Sequence, residues 1–225
     1  MNHDAREHHR RSTRLRGYDY SQSGAYFVTV CVQNRQSVFG EVTSGRMMLS
    51  EAGRMVEEEW LKTPVVRPQV QLDEFVVMPN HFHGIIMIRN ESGTAGATRR
   101  GAPTIGRPAG PMVGSIGAMM AQFKSIATKR MRALGHSSFA WQRNYEHIVR
   151  DEDSLNRIRE YILTNPLRWD LDRENPERKG NDDFDRWLAS FATRPKAVYG
   201  RSALIRTVGR PGGSPLRMSR KRSEK

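Results

Sequence analysis

His81 and His83 flank a single apolar residue, Phe82, in Pro79-Asn80-His81-Phe82-His83-Gly84, which runs on into Ile85-Ile86-Met87-Ile88. On a strand, side chains alternate between faces, so both imidazoles project to one side and Phe82 to the other. Paired imidazoles can hold a divalent metal while the phenyl ring anchors the strand in the core. Two ligands do not make a site, and a third donor, a nucleophile and a substrate surface have to be found elsewhere.

Tyr161 and Asn165 supply candidates in Tyr161-Ile162-Leu163-Thr164-Asn165-Pro166. Four residues apart on a helix, the phenol and the carboxamide share a face. If that helix packs on the sheet face carrying the histidines, two imidazoles, an amide oxygen and a phenol converge. Such a donor set leaves coordination positions open and can hold Mg²⁺ or Mn²⁺ that also binds a phosphate oxygen. The phenol is then a candidate nucleophile. Plainer readings stand beside this one. His81 and His83 can be a satisfied or surface pair, Tyr161 a packed aromatic, and Asn165 a helix-terminating residue before Pro166. His147 reads as a further ligand, a phosphate contact or an ordinary strand histidine.

The elements that must position these residues follow from periodicity. Residues 25–32 (Ala-Tyr-Phe-Val-Thr-Val-Cys-Val) are β-branched and aromatic, a buried strand. A small hairpin is expected around Ser44-Gly45 within 39–49. Ser50 caps a helix on which Ala52, Met55, Val56 and Trp60 recur at helical spacing, and Pro64 is its stop signal. Strands are expected over 70–78 and 81–88, joined by a tight turn at Pro79-Asn80. Residues 90–111 turn to Gly, Ala, Thr, Pro and Arg and read as a flexible loop. A helix over 115–134 would bury Ile116, Met119, Met120, Phe123, Ala127 and Leu134. A short strand over 145–149 precedes a helix over 154–165 whose apolar stripe is Leu155, Ile158 and Ile162, ended by Pro166. Residues 184–188 form a weak amphipathic fragment, and the chain beyond about 194 reads as disordered. The order β-α-β-β-α-β plus a further helix predicts an α+β fold: a ferredoxin-like antiparallel sheet with an appended C-terminal helix. The expected divisions are a basic arm over 1–24, one domain over 25–176, and a basic extension over 177–225.

Among 225 residues, 37 Lys and Arg face 24 Asp and Glu, for a net charge of +13. That excess favours a polyanionic partner, most often nucleic acid. A generically basic protein is the bland alternative. One cysteine, Cys31, excludes an internal disulfide framework and a Cys/His structural metal set. No run approaches the roughly 20 apolar residues of a membrane span. The expectation is a cytoplasmic, nucleoid-associated protein without membrane contact.

Several blocks together resemble a known family. They are Arg14-Leu15-Arg16-Gly17-Tyr18-Asp19-Tyr20-Ser21, Gly24 to Val30, Phe75 to Gly84, Gln122-Phe123-Lys124-Ser125, Trp141 to Ile148, and Tyr161 to Pro166. In this order they resemble the single-tyrosine HUH transposases of bacterial insertion sequences, and among them the REP-associated tyrosine transposases. The resemblance covers most of residues 10–170 and leaves out the 90–111 loop and the basic tail. It implies the HUH endonuclease type of fold, His81 and His83 as the metal-binding pair, Tyr161 as nucleophile and Asn165 as third ligand. Relatives outside the REP-associated group often have Gln at the Asn165 position. It further implies a metal-dependent single-stranded DNA endonuclease and strand transferase acting on REP-like hairpin DNA through a 5′-phosphotyrosine intermediate. Arg10, Arg11, Arg14, Arg16 and Lys124 would grip phosphates. The alternative is a domesticated protein that binds DNA hairpins without cleaving them. Monomer and homodimer both remain open.

Overall fold

The computed structural model describes residues 18–89, 111–142 and 144–193. Six strands and five helices appear in it. In chain order they begin with β1 (Gly24–Cys31), the hairpin β2 (Gly40–Thr43) and β3 (Arg46–Leu49), α1 (Glu51–Leu61) and the single turn α2 (Thr63–Val66). There follow β4 (Val70–Val77), β5 (His81–Ile88), α3 (Ile116–Ala133), β6 (Tyr145–Val149), α4 (Glu152–Thr164), a 3-10 segment (Asn165–Leu171) and α5 (Asp183–Thr193).

Four strands make one sheet in the order β4-β5-β1-β6, and every neighbouring pair is antiparallel. With β2 and β3 set aside as an inserted hairpin, this is the ferredoxin-like β-α-β-β-α-β arrangement that periodicity predicts. The hairpin turns at Ser44 and Gly45, both at positive φ (51° and 70°), the two-residue turn whose twist suits the flanking strands.

Both faces of the sheet are covered, which explains why β5 is buried along its whole length. One face carries Tyr26, Val28, Val30, Phe82, Ile86 and Ile88 and packs under α1 and α3, including Trp60 and Phe123. The other carries Ala25, Phe27, Ile85 and Met87 and packs under α4 and α5. The alternation of β5 puts His81 and His83 on the α4 side. Phe82 points the opposite way, its ring 4.5 Å from that of Trp60. Burying such a ring stabilises by about 1.5–3 kcal/mol, enough to fix which face the histidines take.

Helix ends follow their caps. Ser50, Ser115 and Asp151 accept from Gly53, Ala118 and Ser154 backbone N–H groups. The side chain of Arg159 on α4 forks onto Asp73 of β4 at 2.9 and 2.7 Å, tying the Tyr161-bearing helix to the sheet edge.

Pro64 lies just beyond the end of α1, as expected, and stands in the first turn of α2, where a proline lacks only an N–H that would be unbonded anyway. Three expectations need correction. Leu134 is 38% exposed, and Met131 is the fully buried residue of the last turn of α3. Pro166 does not send the chain out of helical space. Asn165 keeps φ −55° and ψ −42°, and a 3-10 segment continues to Leu171. The fragment at 184–188 belongs to α5, whose Phe184 and Leu188 are each 4% exposed in the core beneath α4. At the other end of the chain Tyr20 is also buried. Among the described residues no helix is long and apolar enough to cross a membrane.

Candidate functional site

The turn between β4 and β5 holds the first side chain. Asn80 is fully buried, and its Nδ2 donates to the carbonyl oxygens of Arg35 (3.2 Å) and Glu174 (2.8 Å). Its Oδ1 therefore faces His81 Nδ1 at 2.9 Å, and that nitrogen carries the proton. His81 Nε2 is left with a lone pair directed into the site. His83 is held the same way one pair further along, with Nδ1 2.9 Å from Thr29 Oγ1 on β1. Such outer contacts fix ring orientation and tautomer at metal sites.

Tyr161 enters from α4. Its hydroxyl donates to Asp172 Oδ2 at 3.2 Å and lies 3.3 Å from His83 Nε2. Asn165, one turn on, is fully buried and donates from Nδ2 to the same Asp172 Oδ2 at 2.7 Å. The amide oxygen of Asn165 therefore points away from Asp172, and it has no hydrogen-bond partner. The second Asp172 oxygen accepts from the Glu174 backbone N–H at 2.7 Å.

The pattern of unpaired atoms decides what this cluster suits. His81 Nε2 and Asn165 Oδ1 are buried without a partner, and His81 Nε2 faces Asp172 Oδ2 across 3.7 Å. A buried lone pair without a donor costs free energy, which a proton or a bound cation offsets. Donor atoms of His81, His83 and Asp172 all lie within 4.8 Å of one another. A buried His-His-Asp group of this kind can hold a metal ion. Burial pushes the His81 and His83 imidazoles down, His83 further because His81 is beside it, so both are neutral near pH 7, the form that ligates. Burial alone would raise Asp172, but the two imidazoles, the Asn165 amide and the Glu174 N–H outweigh it and hold the carboxyl at about 2.

The phenol of Tyr161 is 4% exposed. Phe184 of α5 stacks flat on it at 3.7 Å with a 6° interplanar angle. Asp182 sets that register by accepting from the Phe184 N–H (2.7 Å) and from Arg168 (2.6 Å). Burial, then the Asp172 carboxylate, pushes the phenol well above its ordinary range, so it rests protonated.

Of the residues expected from sequence, the structure brings His81, His83, Tyr161 and Asn165 into one cluster. It sets His147 apart, on β6, packed against Phe191 at 4.8 Å. Lys124 is half-buried and spends its ammonium on the Gln142 carbonyl at 2.6 Å. Arg10, Arg11, Arg14 and Arg16 lie outside the described residues. Sequence reasoning missed Asp172 and the orienting role of Asn80. The signal for Asn80 was its place directly before the histidine pair. Asp172 carried none, because its position depends on the 3-10 segment after Pro166.

No model of a known protein family matches the chain. An uncharacterised protein of Haemophilus influenzae is 40% identical over 168 residues, which are 74% of this chain and 93% of that protein. The chain belongs to that protein's family. Among solved structures, a REP-associated tyrosine transposase bound to a REP hairpin is 20% identical, with a TM-score of 0.47 over 69% of this chain and 73% of that one. A structure from Deinococcus radiodurans is fainter still, 16% identical with a TM-score of 0.38 over 67% of this chain and 95% of that one. Likenesses at these scores carry no assignment to this chain.

Proposed function

We propose that the protein is a metal-dependent single-stranded DNA endonuclease and strand transferase of the single-tyrosine HUH type, belonging to the REP-associated tyrosine transposases. One observation carries the reading: the Tyr161 hydroxyl lies 3.2 Å from Asp172 Oδ2 and 3.3 Å from His83 Nε2, inside the donor cluster. A nucleophile and a cation site in contact are what phosphodiester transfer requires. The net charge of +13 fits a DNA partner, and the sequence blocks quoted above point to hairpin DNA.

His81, His83, Asp172 and Asn165 would hold the metal, Mg²⁺ or Mn²⁺. Once bound, it supplies Lewis-acid stabilisation of charge on the scissile phosphate oxygens. The protein's own groups do the rest. Asn80 and Thr29 keep the imidazoles turned inward. Asp172 holds the phenolic proton at Oδ2, which orients Tyr161 Oη. Oη attacks phosphorus, a Tyr–O–P bond forms as the bond to the 3′ oxygen breaks, and the proton lost by the phenol ends on that oxygen, leaving a 3′-OH on one fragment and a 5′-phosphotyrosine on the other. The reverse attack by another 3′-OH restores a phosphodiester and frees the tyrosine. Because Tyr161 lies beneath Phe184, the reacting conformation differs from this one at α5 or in the 165–174 segment.

The burial of Tyr161 is also the one observation that favours a second reading, a DNA-hairpin binder that does not cleave. Denaturing gels of protein incubated with 3′-labelled single-stranded hairpin DNA and Mn²⁺ separate the two. A label migrating with the protein, lost with Tyr161→Phe or with chelator, is expected. Tight binding of hairpins with no adduct under any condition would leave the second reading.

A further inference from the structure

The chain has four tryptophans. Three are structural: Trp60 and Trp141 pack into the core beneath α1 and α3, and Trp187 into the one beneath α4. Trp169 belongs to neither. It sits on the 3-10 segment beside the metal-donor cluster, half-buried, next to the 72% exposed Leu167. Its one ring contact among the described residues is His81, at 5.9 Å between centroids and 27° between planes. Its backbone is locked, because the Trp169 carbonyl accepts from the Asp172 N–H at 3.1 Å and from Asn175 Nδ2 at 3.0 Å. The indole thus lies 5.9 Å from a metal-donor imidazole, outside both cores, on a backbone pinned by two hydrogen bonds.

We infer that Trp169 is a stacking platform for one nucleobase of the single strand, beside the phosphate that Tyr161 attacks. The inference rests on the proposed function and adds to it a substrate contact that reads no base identity. Aromatic stacking serves single-stranded nucleic acid well, since every base has a π-face, and a partly exposed indole offers large area with little entropy to lose. A rigid platform next to the cleavage centre would also fix where the scissile phosphate lies. A purely structural Trp169, packed to steady His81, is the reading to be excluded.

The test uses full-length protein and a single-stranded hairpin oligonucleotide that forms the covalent adduct with wild type. Dissociation constants are measured in the Tyr161→Phe background with Trp169, Trp169→Phe or Trp169→Ala. Each protein is titrated with the intact strand and with strands carrying one abasic nucleotide at successive positions. Stacking predicts that Trp169→Ala weakens binding of the intact strand by about 10- to 100-fold, and that Trp169→Phe restores most of it. It also predicts one abasic position next to the cleaved phosphate at which Trp169→Ala costs nothing more. An equal loss on every abasic strand, or a loss that follows a fall in metal affinity, would assign Trp169 a structural role and overturn the inference alone. If wild type forms no adduct with any strand, the proposed function fails first and this inference with it.

Discussion

Chelating a metal bound at the donor cluster should destabilise the protein by an amount set by the two buried atoms there that lack a partner. His81 Nε2 and Asn165 Oδ1 have no hydrogen-bond partner, and each buried unpaired polar atom costs about 1–3 kcal/mol. A cation that engaged both atoms would therefore recover about 2–6 kcal/mol. Mass action gives a figure inside that range: metal at about a hundred times its Kd stabilises by about 2.7 kcal/mol. In a chain of 225 residues, each kcal/mol shifts Tm by about 2–4 °C, so Tm should rise by about 5–11 °C. The assay is a thermal melt of chelator-treated protein titrated with Mn²⁺ or Mg²⁺, with His81→Ala and Asp172→Ala alongside. The wild-type shift should be saturable, and both variants should lose it. The chain also has histidines outside this cluster, such as His8 and His9, so the variants are the decisive arm. A wild-type melt indifferent to millimolar metal, or an equal rise in Asp172→Ala, would show that the cluster does not bind metal.

Three further outcomes are expected. A Cβ on Gly84 would stand 2.6 Å from Cζ2 of Trp60 and 2.9 Å from the Phe82 ring, both buried. Gly84→Ala should therefore cost about 1–3 kcal/mol by overpacking, read as a lower urea midpoint; an unchanged midpoint would show that the rings can yield. Phe184→Ala should cost about 3–5 kcal/mol if α5 belongs to the core as its stacking on Tyr161 indicates, whereas a change under about 0.5 kcal/mol would mark α5 as a detached extension. Burial lowers His147 from 6.5 to about 4, so between those values the unfolded chain binds the proton first. Its contribution is complete above pH 6.5 and is lost as pH falls toward 4, on the order of 3 kcal/mol. Denaturant midpoints measured across that window should flatten in His147→Phe, and an identical pH slope in that variant would contradict the assignment.

Strict periodicities made much of this molecule legible. Alternation along residues 81–88 put the two histidines on one face and Phe82 on the other. Spacing of four put Tyr161 and Asn165 together, and Ser50 marked a helix start by a side chain that can accept from the first free N–H groups. What stayed hidden depended on the path of the chain between elements. Asp172 reaches the histidines because a 3-10 segment carries the backbone on from Asn165, and no local pattern announces a turn of that geometry after Asn-Pro. The face of α5 was available, since Phe184, Trp187, Leu188 and Phe191 recur at helical spacing. Its importance was not, because only the fold shows that Phe184 lies flat on Tyr161. Leu134 failed for a third reason: α3 ends at Ala133, so residue 134 no longer follows the buried stripe. The amide of Asn165 illustrates the limit of spacing. Position placed it by the tyrosine, while the direction of its oxygen was decided by Asp172.

If Tyr161 is the nucleophile of a metal-dependent strand-cleaving centre, its phenol carries the DNA after cleavage. Wild-type protein incubated with single-stranded hairpin DNA and Mn²⁺ can be trimmed with nuclease, digested with trypsin and analysed by mass spectrometry. A nucleotide-phosphate mass is expected on the peptide Glu160-Tyr161-Ile162-Leu163-Thr164-Asn165-Pro166-Leu167-Arg168, fragmenting to Tyr161 and absent when metal is chelated. A nucleotide mass on any other peptide, or cleaved DNA with no protein-linked nucleotide, would contradict it.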